Sequence, residues 1–183
     1  KLLEKHSSLI DRVIVDGATP QPIKGYRKII AIVYLISFLK NTKFVANLLT
    51  KIMKEDGAPV QDVQHFVADF QSAERRSFRR AMSQANLLRL NLQFDNPAFF
   101  VSGGKEAETI HDWHRRLADK NARSECAYYP DKGHTWLFSD VDTHIQLLRY
   151  FFQNAAFPRE IERILIWTIF PIFAPRWGMI RLF

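Results

Sequence analysis

With 183 residues, 47% of them hydrophobic and 25% charged, the chain has the make-up of one globular domain or part of one, which excludes a disordered sequence. The net charge of +7 favours acidic partners or surfaces but does not bear on fold. The single Cys126 excludes an internal disulfide framework and a cysteine-based zinc site, and it is compatible with a reducing compartment such as the cytoplasm.

Lys1 to His6 read as the last turns of a helix. In "LIDRVIVDGATP" the run Val13, Ile14, Val15 is continuously apolar and β-branched, and Gly17 and Pro20 stop it. Such a run suits a buried parallel strand, with Asp16 at its C-terminal end. Residues 21–93 then repeat apolar side chains at helical spacing. One such segment carries Ile29, Ile32, Val33 and Ile36, a second runs from Phe44 to Met53, a third from Val60 to Phe70, and a fourth covers Leu87 to Leu92.

From Asn96 the pattern changes. "NPAFFVSGG" reads as a strand entered by Pro97 and closed by paired glycines. Ile110, Trp113 and Leu117 mark an amphipathic helix, "SECAYYP" a short strand, "DKGH" a loop, and Val141, Ile145, Leu148 and Phe152 a further helix. Alternation of this kind favours a parallel sheet with helices on its faces. The tail from Phe157 is apolar and aromatic and breaks the rhythm. The apolar runs at 29–39 and 164–174 fall short of the roughly 18 residues a spanning helix needs.

In an open parallel sheet, functional groups gather beyond the C-terminal ends of the strands. Glu106 follows one such strand and His134 the next, with one helix between them. A carboxylate beside a histidine fixes the imidazole tautomer and stabilises the imidazolium, while the ring takes a proton from a nucleophile or water near neutral pH. Gly133 lets the loop turn tightly and expose the ring. Glu108 and Asp16 compete with Glu106 for the role of acid, since Asp16 also ends a strand on that edge.

The phrases "NPAFFVSGGKE" and "YYPDKGHTWLF", separated by an amphipathic helix, resemble the final third of an α/β-hydrolase. The resemblance covers residues 1–153 and implies an α/β fold built on a parallel sheet, present in part, with a helical cap inserted. It divides the chain into a core strand at 1–20, a cap at 21–93, a C-terminal core at 94–153 and an apolar tail at 154–183. In that family a Gly-x-x-Asp/Glu phrase supplies the acid, here Gly103 to Glu106, and a later Gly-His pair the histidine, here His134. No Gly-x-Ser-x-Gly elbow occurs in the chain. The family's order of nucleophile, acid and histidine places the elbow upstream of Lys1.

These features imply a hydrolase acting on an ester of a small to medium, partly apolar substrate, with no cofactor or metal. The alternative is a non-catalytic hydrolase-fold module that binds partners. His111 and His114 share a helical face, but no ligand set completes a metal site, and they read as part of a solvated or partly buried helix. "ERRSFRR" reads as a basic solvated face rather than a nucleic-acid site. Phe66, Phe70 and Trp136 are candidates to line a substrate pocket. The tail, through "RILIWTIFPIFAPRW", suggests contact with a membrane surface.

Overall fold

The computed structural model describes residues 5–55 and 57–164. Four strands form one sheet in the order β1-β2-β3-β4: β1 Val13–Asp16, β2 Ala98–Gly103, β3 Glu125–Tyr129 and β4 Glu162–Arg163. The first three are parallel, with Val13 opposite Ala98 and Phe99 opposite Glu125. This is the sheet that the apolar runs predict. The short β4 adds antiparallel to β3 and was not legible in the sequence, because two exposed residues carry no hydrophobic pattern.

Between β1 and β2 lie four helices: α1 Tyr26–Leu39, α2 Lys43–Glu55, α3 Val60–Ser72 and α4 Arg75–Asn86. α1 packs on α4, and α2 on α3. After β2 come α5 Glu108–Asp119, the single turn α6 Trp136–Ser139, and α7 Val141–Gln153.

The fourth helix differs from the expectation. Leu87 to Leu92 is not helical, and the helix lies just upstream on the arginine-rich run. Residues 87–95 alternate between exposed and half-buried, with Leu88, Leu90, Leu92 and Phe94 turned inward. That period of two belongs to extended chain. The segment is fastened to the turn after β1, where the Leu90 amide donates to the Pro20 carbonyl at 2.8 Å and Gln21 Nε2 donates to the Leu90 carbonyl.

Strand β2 is the centre of the molecule, and all six of its residues are buried. On one face Phe99 and Val101 pack with Trp136, Leu147, Phe151 and Ile161. On the other, Ala98 and Phe100 pack with Leu117, Ala118 and Cys126. Burial pushes the Cys126 thiol up to about 12, so it stays a neutral apolar group in this core.

α7 forms as its sequence predicts but presents a different face. Thr143, Leu147 and Phe151 are buried at fourfold spacing, while Val141, Ile145 and Phe152 face outward. Its start is capped by Asp140, whose carboxylate accepts from the Thr143 amide at 3.2 Å. The first part of the tail joins this core: Pro158 and Ile161 are buried, and Phe157 packs against the cluster around Phe99. The rest of the tail, from residue 165, lies outside the described residues, as do residues 1–4 at the start. Among the described residues no helix is long and apolar enough to cross a membrane.

Candidate active site

β2 ends at Gly103, and the chain turns directly into Gly104, Lys105 and Glu106. The turn closes on itself, the Glu106 amide donating to the Gly103 carbonyl at 3.1 Å. It is also joined to the loop after β3: the Gly104 amide donates to the Tyr129 carbonyl, and the Lys105 amide to the Lys132 carbonyl. Such contact demands glycine at both positions. A Cβ on Gly103 would stand 2.3 Å from the Gly133 carbonyl oxygen, and one on Gly104 2.4 Å from that of Pro130. The paired glycines thus do more than end a strand. They let the two loops approach backbone to backbone.

That approach brings Glu106 and His134 together. Glu106 Oε2 lies 2.8 Å from His134 Nδ1. The carboxylate is fixed from its other oxygen, where Oε1 accepts from the Gly103 amide at 2.9 Å. Burial works to raise the Glu106 carboxyl, but the hydrogen bonds from His134 and from the Gly103 amide outweigh it and leave it below its ordinary value. An ionised carboxylate can only accept, so Nδ1 carries the proton and the neutral ring's basic lone pair sits on Nε2. The Glu106 side chain is 3% exposed and that of His134 68%. The pair therefore has a buried anchor and a ring that solvent or a reactant can reach.

The two other carboxylates considered from sequence go elsewhere. Glu108 begins α5 and pairs with Arg115 at 2.5 Å on the surface. Asp16 ends β1 beside the pair, yet its Oδ1 accepts from Trp136 Nε1 at 3.1 Å. Its Oδ2 is buried without a hydrogen-bond partner. Burial is the main reason that the Asp16 carboxyl is pushed up to about 6, with the Trp136 hydrogen bond opposing and the nearby Glu106 charge adding to it. Two carboxyls at one strand edge are thus displaced in opposite directions by their surroundings.

Trp136, expected to line a pocket, is instead fully buried between Tyr129 and His144 and anchors the His134 loop to β1 through Asp16. Phe70 is buried against Phe78, and Phe66 is exposed. Sequence reasoning gave Gly17 no role in the site. Its φ is +54°, and a Cβ there would stand 2.8 Å from His134 Nδ1 and 3.1 Å from Glu106 Oε1. The phrase Asp16-Gly17 directly after an apolar run was the available signal, since a left-handed turn closing a strand favours glycine.

Of the two settings expected for His111 and His114, the structure shows the partly buried helix, with both histidines on its buried side. His111 Nδ1 lies 3.0 Å from Ser102 Oγ, and His114 Nε2 lies 3.0 Å from the Ala18 carbonyl. They hold α5 against β2 and the turn after β1, and burial lowers the His114 pKa. Among the described residues no group of three or more His, Cys, Asp or Glu side chains is placed to hold a metal ion.

No protein-family model matches the sequence. No curated protein matches it either. Solved structures do match. An α/β hydrolase enzyme from a Medee basin deep-sea metagenome library superposes with a TM-score of 0.63 and 14% identity, over 84% of this chain and 60% of that one. The enol-lactonase from Burkholderia xenovorans gives 0.61 and 13%, over 83% and 60%. A thermophilic esterase from Thermogutta terrifontis gives 0.62 and 12%, over 83% and 59%. The chain has the α/β-hydrolase fold in part and spans about three-fifths of the length of these structures.

Proposed function

We propose that this chain supplies the acid and the histidine of an α/β-hydrolase that cleaves esters of partly apolar substrates, with a nucleophile contributed from upstream of these residues. The observation that carries the reading is the 2.8 Å pairing of Glu106 Oε2 with His134 Nδ1, built on the ends of adjacent parallel strands. The fold supports it, and so do the activities named for two of its structural neighbours, an esterase and an enol-lactonase.

In this reading a serine hydroxyl attacks the ester carbonyl as His134 Nε2 takes its proton. Glu106 accepts from Nδ1–H throughout and stabilises the imidazolium without taking the proton itself. The tetrahedral intermediate collapses, the C–O bond breaks, and the leaving alkoxide receives the proton from His134. Water then attacks the acyl-enzyme with His134 as base, and the serine is regenerated when the proton returns to it. The depressed Glu106 pKa suits this role, since the carboxylate stays ionised at the pH where the imidazole cycles. Asp16, pushed up to about 6, adds little competing charge in weak acid.

The test is turnover of short-chain p-nitrophenyl esters by the full-length gene product that contains these residues, with fluorophosphonate labelling in parallel. The reading expects both. Absence of both from a folded full-length protein would overturn it in favour of a non-catalytic binding module.

A further inference from the structure

We propose that the face formed by α1 and α4 docks on an anionic lipid surface. The inference is independent of hydrolysis and stands on a different part of the molecule.

The face begins with a stripe in the sequence of α1. Arg27, Ala31, Tyr34 and Phe38 recur at spacings of four, three and four, which puts them on one side of a helix. All four residues or their immediate neighbours are exposed, Phe38 at 70% and Leu35 at 60%. An adjoining side of α1 holds Val33 and Ser37, which are the buried ones. Large apolar side chains therefore stand outward on a helix whose inward face is already packed. Soluble proteins rarely leave such a patch without a use.

α4 packs beside α1 and supplies the charge. From Glu74 to Arg89 the sequence holds five arginines against one glutamate, a net +4 out of +7 for the chain. Glu74 is engaged with Ser77 at 2.8 Å. Arg75 lies over the Phe38 ring at 5.6 Å, and Arg79 over the Tyr34 ring at 5.3 Å, so the cations and the aromatic stripe belong to one surface. Next to them an open groove of about 1090 Å³ is lined by Tyr34, Arg76, Arg79, Arg80, Leu88 and Arg89, with no acidic side chain. None of these arginines makes an ion pair with a described residue.

The occupant follows from combining these features. A compact soluble anion needs donors closed round one point, whereas the groove lined by Arg76, Arg79, Arg80 and Arg89 is open and about 1090 Å³ in volume. A nucleic acid that stacks its bases needs open aromatic faces, and here Arg75 and Arg79 take up one face each of Phe38 and Tyr34, while Phe38 stays 70% exposed and the exposed neighbours Ile32 and Leu35 are aliphatic. A bilayer with acidic headgroups suits both halves. The arginines meet phosphate and carboxylate groups, and Leu35 and Phe38 enter the acyl boundary.

The experiment is co-sedimentation of the full chain with vesicles of phosphatidylcholine alone and of an equimolar mix with phosphatidylserine. Binding is expected to the mixed vesicles, weaker to the neutral ones, and falling with added salt. Arg76→Gln with Arg80→Gln is expected to lower the partition coefficient on the order of 30-fold, at about one factor of five per cation. Phe38→Ser with Leu35→Ser also weakens it, and circular dichroism checks that each pair leaves the helix content unchanged. Wild-type binding by the arginine variant would overturn the proposal and point to the apolar tail. Equal binding to both vesicle types would overturn it too. So would binding to inorganic phosphate or to an oligonucleotide, with no vesicle binding, that the serine variant retains.

Discussion

Strand β2 buries all six of its residues, whereas helix α4 buries none of its twelve. The two elements represent two regions. Around the sheet, large side chains from β2, β3, α5, α6 and α7 close two apolar clusters with no charge inside them. Between residues 26 and 86 each of the first three helices buries two residues, and Ile32, Phe38, Phe44 and Ile52 face outward. The pair proposed to be catalytic would need its geometry held to a fraction of an ångström, which the first kind of scaffold provides, and the surface proposed to meet a soft partner lies on the second. Glu106 and His134 are on the sheet, and the arginine face is on the helices.

The sharpest way to break this comparison is through activity. In the full-length gene product, His134→Ala is expected to lower kcat on the order of 10⁴-fold or more, with folding unchanged. Glu106→Gln keeps the shape but offers an amide where the ring needs an anion, and it is expected to cost on the order of 10³-fold. Steady-state rates on a p-nitrophenyl ester read both, and the arginine variants in the helices are expected to leave them untouched on a soluble substrate.

Stability separates the regions next. Phe100→Ala empties a fully buried ring site and is expected to cost about 3–5 kcal/mol by urea denaturation. Phe38→Ala removes a ring of the same size from the surface and is expected to change stability by about 0.5 kcal/mol or less. Comparable losses at both positions would mean that Phe38 is packed in solution against a further partner.

An effect smaller than the loss of a core ring concerns pH. The Asp16 carboxyl is raised from 3.8 to about 6 in the fold, so the native state holds its proton more tightly than the unfolded chain does. Between those values the native state binds more protons, and stability therefore falls as pH rises through that window. Glu106 works the other way: its depressed pKa contributes stability above its unfolded value, lost as pH falls through the folded one. Asp16→Asn keeps an acceptor for Trp136 and is expected to remove the decline, gaining about 1–2 kcal/mol above pH 6 after allowance for partial solvent access. Urea midpoints across the acid range check it.

Much of the sheet region was legible in the sequence because β-branched and aromatic runs bounded by glycine and proline have few other uses. "VIV", "AFFVSGG" and "ECAYY" each became a strand. What periodicity left open was which face turns inward. α7 has apolar residues on more than one side, and the buried set was Thr143, Leu147 and Phe151 because the sheet lies on that side. Short runs were equally ambiguous, and 87–92 took the extended form that its alternating leucines allow. Around the candidate site, Glu106 and His134 could be named from their place after strands. The contacts of Gly17, Gly103 and Gly104, and the anchoring of Trp136 by Asp16, depend on how closely separate loops pass, which no local pattern encodes.

The central claim is that Glu106 holds His134 with its proton on Nδ1 and its basic nitrogen at Nε2. Histidine-selective ¹⁵N NMR on the folded chain reads the tautomer directly. The account predicts the Nδ1–H form for neutral His134, lost or mixed in Glu106→Gln. A neutral ring protonated on Nε2, unchanged by that substitution, would contradict it.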